Sequence, residues 1–354
     1  MKIVSIRAFV LAFLLLSAAP IRAGEKTDVL VMKNADRLTC ELVGLNSGVL
    51  YVKLDYVDGT ISVQWSQVVR LETNRLLIVK TQSGAAYTGK ITTAEAQSGQ
   101  PVKIEVAQTP EKKVVLDRSQ IVAMDPTSES FWQRFNGDIT TGLLYSKGNE
   151  STQYNVSSSV EYPRERWAAH ASFNANLSSS SGDSTSTRNQ LGFGIRRLLH
   201  WNNYFYAGLA DFLQSSEQGI GLQTTLGGGI GRYFKNTNRA RISLLGGFAW
   251  QRTNYKDSNP AFERQNIAAA LISAEVKFFK FKKTNLDVTA SLFPAISEPG
   301  RVYFRTNESY YVKLFNNLSW NISFYGSWDN RPPNGLSGSD YGSSSGLSWT
   351  FGNK

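Results

Sequence analysis

Trp167-Ala168-Ala169-His170-Ala171-Ser172-Phe173-Asn174-Ala175-Asn176-Leu177 sets apolar or small residues at its odd positions, against His170, Ser172, Asn174 and Asn176 at its even ones. A side-chain period of two describes an extended strand with one apolar and one polar face. The preceding stretch repeats the pattern, with Tyr154, Val156, Ser158, Val160 and Tyr162 against Asn155, Ser157, Ser159 and Glu161. Further along come Ile242, Leu244, Gly246, Phe248 and Trp250, then Leu286, Val288, Ala290 and Leu292, then Trp320, Ile322, Phe324, Gly326 and Trp328. None of these outward sets carries a charge.

Twelve such strands are expected, at 139–146, 153–162, 167–178, 189–199, 204–213, 222–234, 241–252, 268–278, 286–293, 302–314, 318–329 and 341–351. An even number of amphipathic strands with aromatic residues near their ends is the pattern of a closed antiparallel transmembrane barrel. The connections agree. Those at 163–166, 200–203, 235–240, 279–285 and 315–317 are tight, whereas 179–187, 253–265 and 330–340 are longer and rich in Ser, Gly, Asn and Pro. Short periplasmic turns alternating with longer external loops are what insertion into the bacterial outer membrane produces. An immunoglobulin-like sandwich has fewer strands and no reason to alternate its loops.

Residues 1–23 read as a secretory signal, with Lys2 and Arg7 before a short apolar core and Ala23 at the cleavage site. Residues 24–126 form a different region of short strands that contains an internal repeat. Ser66-Gln67-Val68-Val69-Arg70-Leu71-Glu72 returns as Ser119-Gln120-Ile121-Val122-Ala123-Met124-Asp125, and Leu30–Lys33 loosely matches Leu77–Lys80. Each unit holds about five short strands, which suggests tandem SH3-like or Sm-like units in the periplasm. The linker falls at 126–130, and the barrel occupies 131–354.

The formal charge is +10, and basic residues gather in the tight gaps: Arg164, Arg166, Lys235, Arg239, Lys280, Lys282 and Lys283. In an exported chain this balance points to outer-membrane lipid and lipopolysaccharide phosphates and away from nucleic acid. The barrel assembly machinery is the other expected partner, although Gly352-Asn353-Lys354 extend past the terminal aromatic Phe351. The partner of 24–126 is not legible. Cys40 is the single cysteine, so an intrachain disulfide is excluded.

Three segments resemble the YdiY-like family, domain of unknown function 481, described as salt-induced outer membrane proteins. They are Gly142-Leu143-Leu144-Tyr145-Ser146-Lys147-Gly148-Asn149, Leu226-Gly227-Gly228-Gly229-Ile230-Gly231-Arg232-Tyr233-Phe234 and Trp328-Asp329-Asn330-Arg331-Pro332-Pro333. The likeness runs from about Phe135 to Phe351. It implies a membrane barrel and no activity, so it transfers no functional residues.

Chemistry is sparse. His170 and Ser172 share a strand face, the spacing of an outer-membrane lipid hydrolase, and Asn174 continues the row. That row is expected to point into the lumen, away from lipid. His200, beside Trp201 in a tight turn, reads as an interfacial residue. Gly227-Gly228-Gly229 lacks the Lys and helix of a phosphate loop and reads as close strand packing. No metal-ligand spacing and no cofactor motif is present. The candidate lumen residues are Glu161, His170, Arg241, Glu275, Lys277, Asp287 and Asp329. Their mixed signs suit pairing across a narrow lumen better than ion selection. The expected role is non-enzymatic, either envelope structure or small-solute passage. Glu308 fits poorly, sharing a face with Val302, Phe304 and Tyr310, and a bulge or an early exit from the membrane is expected there.

Overall fold

The computed structural model describes residues 28–94, 101–127, 131, 134–146, 151–179, 185–199, 203–256, 264–280, 284–315, 317–333 and 336–351. The signal segment, His200, Lys282, Lys283 and the final three residues lie outside them, as does most of the Ser-rich stretch 178–186.

Among the described residues the N-terminal region forms nine strands: β1 (Asp28–Met32), β2 (Arg37–Asn46), β3 (Val49–Leu54), β4 (Val57–Gln64), β5 (Val68–Thr81), β6 (Ala86–Thr93), β7 (Lys103–Ala107), β8 (Lys113–Asp117) and β9 (Ile121–Pro126). They join in one sheet of order β4-β3-β2-β1-β5-β6-β7-β8, with β9 paired to β2 and β5. The repeat is visible in this topology. Each copy of the Ser-Gln motif straddles a 3-10 turn, Trp65–Gln67 or Arg118–Gln120, that leads into the closing strand of its unit. The long β5 serves both units, closing the first against β1 (Leu30↔Leu71) and opening the second against β9 (Val79↔Met124). Backbone bonds Lys33 N to Gln67 O and Gln82 N to Gln120 O are equivalent. Leu30 therefore corresponds to Val79, two residues beyond the loose match made from sequence.

The two units share a single apolar core that includes Leu30, Leu42, Trp65, Leu71, Val79, Ile104 and Met124. Trp65 Nε1 donates to Arg118 O at 3.0 Å, and Arg118 Nη1 donates back to Val68 O, so each 3-10 turn is tied to the other unit. Cys40 is fully buried in this core. Burial, with the neighbouring Asp28 charge, pushes its thiol up to about 12, so it stays protonated at neutral pH.

The second region is a closed antiparallel barrel of twelve strands, β10 to β21 in chain order. These are β10 (Asn136–Ser146), β11 (Ser151–Pro163), β12 (Trp167–Ser179), β13 (Ser186–Leu198), β14 (Tyr204–Ser215), β15 (Ile220–Asn236), β16 (Ala240–Tyr255), β17 (Arg264–Lys280), β18 (Thr284–Pro294), β19 (Val302–Phe315), β20 (Leu318–Asp329) and β21 (Ser339–Phe351). Each expected strand is present, most with longer ends, and β10 pairs β21 to close the cylinder (Ile139↔Trp349). No described helix is long and apolar enough to cross a membrane.

The outer face is a belt of exposed large apolar side chains, among them Phe173, Phe193, Ile230, Phe248, Phe324 and Leu347. A soluble monomer rarely exposes such a continuous surface. In a membrane barrel it is the lipid-contacting band.

One of the two repairs expected for Glu308 is absent. Strand β19 keeps regular register from Val302 to Lys313, so no bulge turns Glu308 inward. Glu308 lies opposite Val288 and Phe324 on the outward face, its carboxylate 3.5 Å from Thr306 Oγ1. The lumen, in turn, is not uniformly polar. Phe205, Tyr233, Leu245, Leu271, Phe293 and Tyr303 pack inside the barrel as a second apolar cluster.

Candidate functional site: a barred lumen with a β-sheet floor

Alternation along each strand directs one residue in two inward, and the inward residues meet partners on strands that are not neighbours. Nearest the tight-turn end, Arg196 on β13 reaches across to Glu275 on β17 (Nη2 to Oε2, 2.7 Å). Lys277 joins Glu275 at 3.2 Å and Asp287 at 3.5 Å. The Arg196 guanidinium also lies 4.5 Å over the Phe205 ring and bonds Tyr233 Oη. Arg241 faces the same Tyr233 ring at 5.9 Å. Glu161 and His170 line the lumen beside this group. Six expected lumen residues, Glu161, His170, Arg241, Glu275, Lys277 and Asp287, thus lie in one layer. Arg196 completes it, bringing its carboxylates and its Arg and Lys side chains to equal number.

Asp329 lies elsewhere. It sits at the loop end, gripped by Arg301 at 3.1 and 2.6 Å, while Arg301 also pairs Glu298 at 2.9 Å.

Two more bars cross the lumen between these levels. Arg305 on β19 pairs Asp211 on β14 and donates to Gln223 Oε1 at 3.2 Å, while Asp211 also accepts from Gln190 Nε2 at 2.7 Å. Arg188 on β13 pairs Asp340 on β21 at 2.5 Å, with side-chain exposures of 5% and 3%. Asp340 accepts from Ser215 Oγ at 2.6 Å, and the Arg188 guanidinium lies 4.6 Å over the Tyr325 ring. Arg188, Arg196, Asp211, Arg305 and Asp340 escaped the sequence reading. Arg188 falls one residue before the strand as drawn, and Arg196-Arg197 offers no parity. Between these polar residues the inward positions of β13 and β14 are apolar or glycine, namely Gly192, Gly194, Phe205, Ala207 and Leu209.

His170 and Ser172 do face the lumen. The His170 ring lies against Gly194, where a Cβ would come within 2.0 Å of it. Among the described residues no hydrogen bond joins His170 to Ser172. Neither side chain reaches the lipid-facing surface. The described residues also contain no group of three or more His, Cys, Asp or Glu able to hold a metal.

The N-terminal sheet closes the tight-turn end. Turn asparagines supply most of the seam: Asn203 Nδ2 donates to Gln82 O at 2.7 Å and Asn238 Nδ2 to Ile121 O at 2.8 Å. Lys313 Nζ meets Ser62 Oγ at 2.8 Å, and Thr88 Oγ1 donates to Glu165 Oε2 at 2.7 Å. Gly84 (φ +85°) turns directly beneath Asn203, leaving no room for a side chain. A cavity of about 850 Å³ runs from the sheet into the lumen, floored by Leu45, Tyr51, Ser62 and Val122, walled by Ser and Asn side chains of β11 and β12, and reaching Arg196, Arg305 and Arg188 of the three bars.

An apolar exterior, ion pairs across the lumen and a β domain docked at the tight-turn end define a membrane-type antiparallel barrel. The chain belongs to the family described as protein of unknown function, DUF481, whose model matches residues 139–351. No curated protein matches it. Among solved structures it is similar to the translocator domain of the autotransporter NalP from Neisseria meningitidis, at 13% identity and TM-score 0.35, over 61% of this chain and 86% of that one. A bacterial polysaccharide outer membrane secretin is similar at 8% identity and TM-score 0.32, over 61% and 97% of the two chains. A porin is similar at 8% identity and TM-score 0.28, over 61% and 99%. At such scores the likeness is loose.

Proposed function

We propose that this is an outer-membrane barrel of the bacterial envelope with a structural, non-enzymatic role, holding its N-terminal β domain at the periplasmic face. The ion pairs across the lumen carry this reading. An open pore keeps its wall charges solvated and apart, whereas here Arg188–Asp340, Arg305–Asp211 and Arg196–Glu275 join strands four or five places apart across the lumen. Support for the orientation comes from the tight turns that meet the N-terminal domain, because short turns face the periplasm in barrels of this kind. The inward row containing His170 and Ser172 argues against lipid hydrolysis, which needs access to acyl chains.

Small-solute passage is the second reading, favoured by the polar cavity of about 850 Å³. Planar-bilayer recording separates the two. The purified full chain is expected to insert without discrete conductance steps in molar salt; regular unitary steps would replace the structural reading with passage. The salt-induced proteins that the three segments resemble extend the proposal to osmotic stress, to be tested by growth of a deletion strain in high salt.

A further inference from the structure

The outward rim at the tight-turn end, from β12 to β16, carries cations that the barrel itself does not use. Arg197, Arg232, Lys235 and Arg239 are all exposed there, and among the described residues none makes a side-chain hydrogen bond or ion pair. Arg197 lies in register between Trp167 and Tyr206, and Arg232 is opposite Tyr204. The Arg232 guanidinium is held 5.3 Å from the Tyr204 ring centroid and 5.8 Å from that of Phe234. The one carboxylate on this arc, Glu165, is engaged by Thr88 at 2.7 Å.

Arginine on the lipid face is tolerated only near an interface, where its stem lies on apolar surface and its head reaches polar groups. Ile195 and Ile230 lie immediately on the membrane side of the two arginines, on the same outward face. Arg197 and Arg232 therefore stand where headgroup phosphates lie. Their backbones, two strands and two residues apart, are on the order of 12 Å from each other by sheet spacing. Extended guanidinium side chains close such a span from either side of one phosphate, and their planar forks suit its oxygens. The tyrosines between them supply rings at glycerol depth.

We propose that Arg197 and Arg232, with Tyr204 and Tyr206 between them, form a binding site for the phosphodiester of an anionic glycerophospholipid in the leaflet at the tight-turn end. The site rests on the membrane-spanning reading above, and its test separates the two.

The full chain is reconstituted in vesicles of phosphatidylcholine with one-fifth phosphatidylglycerol, re-extracted in detergent, and its retained lipid counted by mass spectrometry. The retained ratio of phosphatidylglycerol to phosphatidylcholine is expected to exceed the bulk ratio by on the order of ten- to thirtyfold. In R197Q/R232Q the ratio falls to the bulk value. K235Q/R239Q removes the same charge lower on the rim and keeps most of the enrichment. R197K/R232K, which keeps charge without the fork, loses most of it. Equal loss in K235Q/R239Q, or full retention in R197K/R232K, assigns the effect to diffuse charge and overturns the site. A wild-type chain that inserts without enrichment also overturns it and leaves the membrane reading standing. A chain that does not insert sinks both.

Discussion

Replacing Arg188 with alanine is expected to destabilise the folded barrel by about 3–5 kcal/mol, the usual consequence of stranding one member of a buried ion pair. The substitution leaves Asp340 charged and 3% exposed, with Ser215 as its remaining donor. It also removes the guanidinium stacked on Tyr325 and the contact to Ser327 Oγ at 3.4 Å. Arg188 and Asp340 sit four strands apart around the barrel, so the pair braces two non-adjacent parts of the wall as well as satisfying its own charges. The double variant R188A/D340A is expected to lose less than R188A alone, because no orphaned charge remains. Urea unfolding in detergent, followed by tryptophan fluorescence, measures both. A loss under about 1 kcal/mol for R188A is the behaviour of a solvated pair and contradicts the barred lumen.

The second large effect is expected at Trp65, where alanine should cost about 3–5 kcal/mol through a cavity in the N-terminal core. Trp65 is 2% exposed, and its indole donates to the 3-10 turn of the other repeat. Because the repeats share β5 and one core, the variant is expected to expose both together. Limited proteolysis should then open sites within 37–64 and 86–117 at the same rate, while the heat-modifiable gel mobility of the barrel persists. Selective opening of the first unit, with the second still protected, would show that the repeats fold as independent units.

The fold was legible wherever one strand face was apolar and the other polar. Strands β12, β16 and β20 show their facing in plain alternation, and the structure keeps it. Strands β13 and β14 did not, for a physical reason. Their lumen side holds Gly192 and Gly194, against Ser172 and the His170 ring, and Phe205, Ala207 and Leu209 of the inner apolar cluster. Where both faces are apolar or small, period two carries no direction. The lumen bars were hidden for a different reason. Arg305 and Asp211 are 94 positions apart on strands that never pair, so no local pattern links them. The cluster around Glu275 was partly readable because inward charges repeat on β16, β17 and β18, but Arg196, the residue that crosses to them, lay on an ambiguous strand. The repeat in the N-terminal region was visible in its Ser-Gln turns, whose backbone geometry is demanding. It slipped by two residues at Leu30, where only apolar character guides an alignment.

Glu308 shows where alternation meets a real exception. Its outward side chain lies among Val288, Phe324 and Tyr310, and the regular register leaves it there. An acidic group costs less than a basic one on a lipid face, and less again when it finds a hydroxyl such as Thr306.

The account depends on a cylinder whose apolar outside meets acyl chains. Gel mobility of the outer-membrane fraction, with and without boiling, tests this most directly. The unboiled chain should run ahead of the boiled one and should require detergent for extraction. A processed chain recovered in the aqueous fraction, with a single mobility in both lanes, would contradict it.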